Sequence, residues 1–120
     1  MQFEEFSNIV SAEFPGVTGE QMDLFRRMEP LYRDWNSRIN VISRKDIDGF
    51  YEHHVLHSLA IASYWLREGI IPASSTTPFS RLTVLDVGTG GGFPGIPLAV
   101  LFPGISFTLC DSVGKKTIVA

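Results

Sequence analysis

The densest chemical information lies between Val84 and Pro97, which reads VLDVGTGGGFPGIP. Five glycines (Gly88, Gly90, Gly91, Gly92 and Gly95) fall within eight residues of each other. Glycines let a backbone turn tightly and approach a ligand with no Cβ in the way. A helix that follows such a turn presents free N–H groups to whatever sits there. Asp86 stands two residues before Gly88, and Asp111 lies 23 residues after it. A carboxylate about 20 residues past a glycine turn is placed to accept hydrogen bonds from both hydroxyls of a ribose. A tight strand-to-helix connection explains one or two glycines. Five of them, with a carboxylate at the end of each flanking strand, point to a nucleoside cofactor.

Two cofactor chemistries fit that description. Gly90, Gly92 and Gly95 satisfy the G-x-G-x-x-G pattern of dinucleotide enzymes. Against this, Pro94 and Pro97 occupy the helix start and restrict its phosphate-facing amides, and Asp86 puts a negative charge where a pyrophosphate would lie. A cofactor carrying a sulfonium and an ammonium is instead attracted to a nearby carboxylate. D-x-G-x-G-x-G after an apolar strand is the common first motif of S-adenosylmethionine-dependent methyltransferases, and that reading is favoured. An NAD-type dinucleotide enzyme stays open as the alternative. The expected cofactor-binding residues are Asp86, Gly88, Gly90, Gly92 and Asp111.

The elements around the motif follow from periodicity. Leu82 to Val87 is a short, nearly continuous apolar run, as in a strand buried on both faces. An apolar helical stretch runs from about Ile96 to Phe102, and Ile105 to Cys110 gives a second strand. Strand, helix, strand requires a parallel pair. Val113 to Ala120 opens a further helix. Two strands do not make a self-sufficient parallel sheet, so the sequence is expected to be the front portion of a longer enzyme, inactive as it stands.

Upstream the pattern is helical. Phe3, Phe6, Ile9 and Val10 mark an amphipathic helix over 2–14, stopped by Pro15-Gly16. Thr18 and Gln21 predict a capping box. Met22, Phe25 and Met28 form the next stripe. Pro30 is expected to start a new helix carrying Leu31, Trp35 and Ile39 on one face. Asp46 and Asp48 open another helical stretch, which Gly69 and Pro72 end. The small polar residues and prolines that follow read as a linker. The expected organisation is a helical domain over 1–71, a linker over 72–81 and the start of the cofactor-binding domain over 82–120. The fold class is α/β: an incomplete Rossmann-like methyltransferase fold, its first βαβ unit, preceded by a small all-α domain.

Composition narrows the setting. Hydrophobic content of 44% against 19% charged residues favours a folded chain over a disordered one. A net charge of −3 gives no global attraction to nucleic acid, so any such contact must be local. A single cysteine, Cys110, excludes an internal disulfide and fits a reducing cytoplasm. It is expected to be inert on a buried strand. The first residues carry acids where a secretion signal carries bases, and the apolar runs are too short to span a bilayer.

The stretch DVGTGGGFPGIPLAVLFPGISFTLCDSVGKK, Asp86 to Lys116, resembles the RsmG family, also called glucose-inhibited division protein B. LYRDWNSRINVISRKD (Leu31 to Asp46) and HHVLHSLA (His53 to Ala60) are similar to that family's N-terminal helical signature. The resemblance implies a transferase that methylates N7 of one guanine in small-subunit (16S) ribosomal RNA with S-adenosylmethionine, on naked RNA or an assembled ribosomal particle. A methyltransferase with another substrate, or an inactive piece, is the competing reading. By position, Gly88 and Phe93 would contact the cofactor. Guanine N7 has an exposed lone pair and needs no deprotonation, so proximity and alignment matter more than a general base. No catalytic residue is assigned. Where the family often has arginine, histidine and aspartate, this chain has His53, His54 and His57, keeping only His54.

Of the remaining candidates, His53 and His57 sit four apart but lack a third ligand, so no metal is expected. His54 is expected to join the helical part to the cofactor part near the mouth of the site. Arg26, Arg27, Arg33, Arg38, Arg44 and Lys45 hold six of the ten basic residues, and Lys115-Lys116 add a pair beyond Asp111. They are either a solvated face or phosphate contacts that position RNA. Arg44, Lys45, His54, Lys115 and Lys116 are the RNA-binding candidates. Tyr32, Trp35 and Tyr51 could stack on bases, though at helical spacing they are more often core.

Overall fold

A computed structural model describes residues 1–71 and 82–120, so the expected linker over 72–81 lies outside the described residues. Helix α1, Phe3–Glu13, buries Phe6 and Val10 one turn apart. The chain leaves it at Pro15-Gly16 and enters α2, Gly19–Asn36, through the expected capping box. Thr18 N donates to Gln21 Oε1 at 2.7 Å, and Gln21 N donates to Thr18 Oγ1 at 3.1 Å. Gln21 has a second task. Its Nε2 donates to the carbonyls of Val100 and Leu101, at 3.0 and 3.1 Å. Those carbonyls close α4, Gly95–Leu101. One buried amide therefore satisfies the start of one helix and the end of another.

Pro30 does not start a new helix; α2 runs through it without a break. Its buried positions are Gln21, Phe25, Met28 and Tyr32, spaced by four, three and four. Leu31 is instead 55% exposed, Trp35 is half-buried, and Ile39 lies beyond the helix end. A proline inside a helix costs about 3 kcal/mol, partly because the carbonyl four residues back loses its donor. That carbonyl belongs to Arg26. The Tyr51 hydroxyl replaces the missing donor in part: its single hydrogen is shared between Phe25 O at 2.8 Å and Arg26 O at 3.1 Å. Burying Phe25, Met28 and Tyr32 contributes roughly 1.5–3 kcal/mol each, which outweighs the proline. A break at Pro30 would split that stripe.

After α2, Asn36 folds the chain back. Its Oδ1 accepts from Val41 N at 2.8 Å and Ile42 N at 3.0 Å, and its Nδ2 donates to Ile42 O at 2.9 Å. A 3₁₀ turn, Ile47–Gly49, leads into a π-helical segment, Phe50–Leu56, and then α3, His57–Arg67. Arg33 on α2 reaches this turn, 3.0 Å from Asp48. Gly69, at φ 68°, ends α3. Ile70 N donates to Trp65 O at 2.9 Å and Gly69 N to Leu66 O at 3.3 Å, the paired bonds of a Schellman ending.

Strands β1, Thr83–Val87, and β2, Ser106–Cys110, pair in parallel with Val87 opposite Cys110. Helix α4 connects them, and α5, Gly114–Val119, follows. The strands are not buried on both faces as expected. Burial alternates along each, and Leu85 and Val87 are 62% and 72% exposed. Only the face toward α4, with Val84 and Phe107, packs on the core. Cys110 falls on the open face and is exposed, which corrects its expected burial. The same core unites α4 with the helices upstream: Phe6, Phe25, Phe50, Leu98 and Phe102 belong to one cluster. No described helix is long and apolar enough to cross a membrane.

Tyr51→Phe should lower stability by about 1 kcal/mol, because it removes the hydrogen shared by the Phe25 and Arg26 carbonyls. Adding Pro30→Ala restores a backbone N–H and should recover part of that loss. A double-mutant cycle by chemical denaturation measures the coupling. Strict additivity would mean the hydroxyl does not substitute for the proline's missing donor.

Candidate functional site

Parallel pairing carries the carboxyl ends of β1 and β2 to one edge, and the glycine turn is anchored across them. Gly88 N and Thr89 N both donate to Cys110 O, at 2.8 and 3.0 Å. Gly88, Gly90 and Gly92 have φ of 75°, 61° and 111°, backbone that side chains rarely adopt. These glycines face two ways. Beside Gly88 and Gly90 a Cβ would meet nothing within 4 Å, so the backbone there is bare on its open side. A Cβ on Gly91 would lie 2.9 Å from Val41, and one on Gly95 would strike Leu109. Gly91 and Gly95 serve packing.

Both carboxylates hold the turn. Asp111 Oδ2 accepts from Gly90 N and its Oδ1 from Val113 N, each at 2.8 Å. These bonds, Val113's first and Gly90's next, hold its carboxyl below the usual carboxylate range. Each oxygen keeps a further lone pair for a ligand hydroxyl. Asp86 is directed inward. Its Oδ2 accepts from Thr89 Oγ1 at 2.7 Å and from Gly95 N at 2.9 Å. The first amide of α4 is thus already matched to a carboxylate.

The helical layer closes the turn from behind. Tyr32, 4% exposed, donates its hydroxyl to Gly91 O at 2.5 Å. Its ring centroid lies 5.0 Å from that of Phe93, which also contacts Phe50 and His54 at 5.9 and 5.5 Å. Burial depresses the His54 imidazole below its ordinary value, against the pull of Asp46. Its Nε2 is 3.7 Å from Asp46 Oδ2 and makes no hydrogen bond among the described residues. His54 therefore packs between the helical part and the turn, where the sequence suggested a junction. Among the described residues no group of three or more His, Cys, Asp or Glu is arranged to hold a metal.

Much of the basic cluster is internally neutralised. Arg26 pairs with Asp23, Arg33 with Glu29 and Asp48, and Arg38 with Asp34. Arg38 also lies 4.4 Å over the Trp35 ring. Arg44 and Lys45 are exposed. They follow Val41, the residue that abuts Gly91. Lys115 is exposed and Lys116 half-buried on the first turn of α5. Tyr32 and Tyr51 are buried and unavailable for stacking on a base.

A family model described as GidB, rRNA small subunit methyltransferase G, matches residues 21–119. The chain belongs to that family. It is 56% identical over 107 residues to the ribosomal RNA small subunit methyltransferase G of Bacteroides fragilis, covering 89% of this chain and 47% of that relative. Identity to the protein of that name from Bacteroides thetaiotaomicron is 54% over 112 residues, covering 93% and 49%. For Porphyromonas gingivalis it is 53% over 114 residues, covering 95% and 47%. The chain spans about half the length of the curated relatives it matches.

The sequence reading missed Tyr32, Val41 and Gln21 as partners of the cofactor half. A buried tyrosine or glutamine signals that a polar partner exists, but not which carbonyl it is. The depressed Asp111 pKa gives a test. Its native value lies below the unfolded value of about 3.9, so its contribution is complete above that pH and is lost as pH falls through the native value. Denaturation titrations across the acid range should show Asp111→Asn lacking this loss. Parallel profiles for the two proteins would show that the carboxylate does not hold the turn.

Proposed function

We propose that this chain supplies the cofactor-binding front of an enzyme that transfers a methyl group from S-adenosylmethionine to N7 of a guanine in small-subunit ribosomal RNA. Residues 82–120 would open a Rossmann-like domain, with 1–71 as a helical domain and 72–81 as the linker. The observation that carries the reading is the bare glycine backbone at Gly88 and Gly90 with Asp111 fixed beside it, inside a segment that matches an rRNA methyltransferase family.

The residues fit that cofactor. Gly88 and Gly90 admit close approach of a nucleoside, Gly92 completes the turn, and Phe93 offers a half-buried ring beside it. Asp111 would accept the ribose hydroxyls with its remaining lone pairs. Asp86 acts through the turn it braces, and its charge favours a cationic ligand over an anionic one. Its bond to Gly95 N disfavours the dinucleotide alternative, because a pyrophosphate would have to displace a carboxylate from the helix start. When bound, the cofactor supplies an electrophilic methyl group. The protein's contribution is alignment of that methyl with the N7 lone pair and carboxylate stabilisation of moving positive charge.

Arg44 and Lys45, with Lys115 and Lys116, would position the RNA through its phosphates, while His54, packed and with its imidazole pKa lowered by burial, would act only through packing. The setting would be the cytoplasm, and the substrate ribosomal RNA or a ribosomal particle.

Calorimetric titration of the complete enzyme that carries this chain with S-adenosylmethionine and with NAD, followed by mapping of 7-methylguanine in ribosomal RNA, tests the whole reading. Heat with the first ligand alone and one new 7-methylguanine are expected. Heat with NAD alone would remove the methyltransferase reading, and methylation elsewhere would remove the substrate. Replacing Arg44 and Lys45 together by Ala should reduce the slope of log affinity for RNA against log salt by up to about 2. An unchanged slope would leave them as surface charge.

A further inference from the structure

We propose that Tyr32 is a positioning residue for the methyl donor, holding the glycine turn in its binding shape from the helical side. This rests on the methyl-donor reading above. The Gly91–Gly92 peptide is buried between two residues without side chains. Little but hydrogen bonding sets its plane, since glycine samples positive and negative φ with similar ease. Both ends of that peptide are held. Gly92 N donates to Thr89 O at 3.0 Å, and Gly91 O accepts from the Tyr32 hydroxyl at 2.5 Å. The fit around the hydroxyl is tight: a Cβ on Gly92 would come within 3.1 Å of the Tyr32 oxygen.

Tyr32 also sets the next residue, because its ring packs on Phe93. Burial pushes its hydroxyl well above its ordinary pKa, so it remains a donor throughout the working pH range. It touches the turn from the Val41 side, whereas the bare backbone of Gly88 and Gly90 faces away from any packed atom. Tyr32 therefore acts on the cofactor through the Gly91–Gly92 peptide. With the hydroxyl gone, the Gly91 carbonyl is buried without a donor, and the peptide is free to rotate away from the shape that Gly90 and Phe93 need.

A matched control exists in the same core. Tyr51 is equally buried and also donates to backbone carbonyls, those of Phe25 and Arg26. It makes no bond to the glycine turn. Tyr32→Phe and Tyr51→Phe should both lower the melting temperature of the protein. Only Tyr32→Phe should weaken S-adenosylmethionine binding by calorimetry, by roughly 3- to 30-fold, the equivalent of one buried hydrogen bond. In turnover assays of the complete enzyme it should raise KM for S-adenosylmethionine and leave KM for RNA unchanged. Amide hydrogen exchange on the folded protein should quicken at Gly92 and Phe93 in Tyr32→Phe alone. If the two variants bind S-adenosylmethionine alike and exchange alike, Tyr32 is only a core residue and the proposal falls. If the complete enzyme with Tyr32 in place is folded but binds no S-adenosylmethionine, the methyl-donor reading falls, and Tyr32's role falls with it.

Discussion

Three consecutive positive-φ glycines at alternate positions make the segment after β1 the least self-supporting stretch of the chain. Everything around it compensates for that. The peptides of the turn are tied to several neighbours: Gly88 and Thr89 to the Cys110 carbonyl, Gly90 to Asp111, Gly91 to Tyr32, Gly92 to Thr89 and Gly95 to Asp86. A buried backbone group without a partner costs about 1–3 kcal/mol, so this set is a requirement of the turn's geometry. The partners come from β1, from the end of β2 and the residue after it, from the turn itself and from α2. The bare backbone at Gly88 and Gly90 thus sits on a turn whose other side is held by these bonds.

This arrangement explains why the helical part is packed so closely on the βαβ unit. Gln21 closes the carboxyl end of α4, Tyr32 and Val41 close the back of the turn, and His54 and Phe50 enclose Phe93. The two regions share one hydrophobic cluster. The continuous α2 is what makes this possible. Gln21 and Tyr32 lie on one face of it, three turns apart, and a break at Pro30 would uncouple the α4 end from the turn end. Tyr51 keeps that helix whole by replacing the donor that proline lacks.

The two carboxylates flanking the glycines illustrate how one residue type takes different roles. Asp86 is bound to Thr89 and Gly95 and shapes the turn, with its charge held at the start of α4. Asp111 sits at the open edge, with each oxygen engaged once and each still able to accept. Neither role follows from the residue type. They follow from which side of the strand end each side chain occupies.

The sequence by itself determined the local grammar. The Thr18–Gln21 box, the stops at Gly16 and Gly69, the βαβ order and the glycine turn with Asp111 beyond it all follow from spacing within about 25 residues, where turn and capping rules act. The family was legible too, because its motifs are contiguous. What the tertiary structure decided were choices between equally allowed local states. Pro30 either starts a helix or is carried within one, and the burial of Phe25, Met28 and Tyr32, with the Tyr51 hydroxyl from a distant segment, settles that. Leu85, Val87 and Cys110 read as buried because the strand pattern is apolar on both sides, yet α4 covers one face only. Tyr32 and Gln21 became partners of the βαβ unit because burial demands that each polar group find a mate, and Val41 packs against its glycine turn. Which mate it finds depends on contacts between residues 50 to 80 positions apart, and no local pattern encodes them.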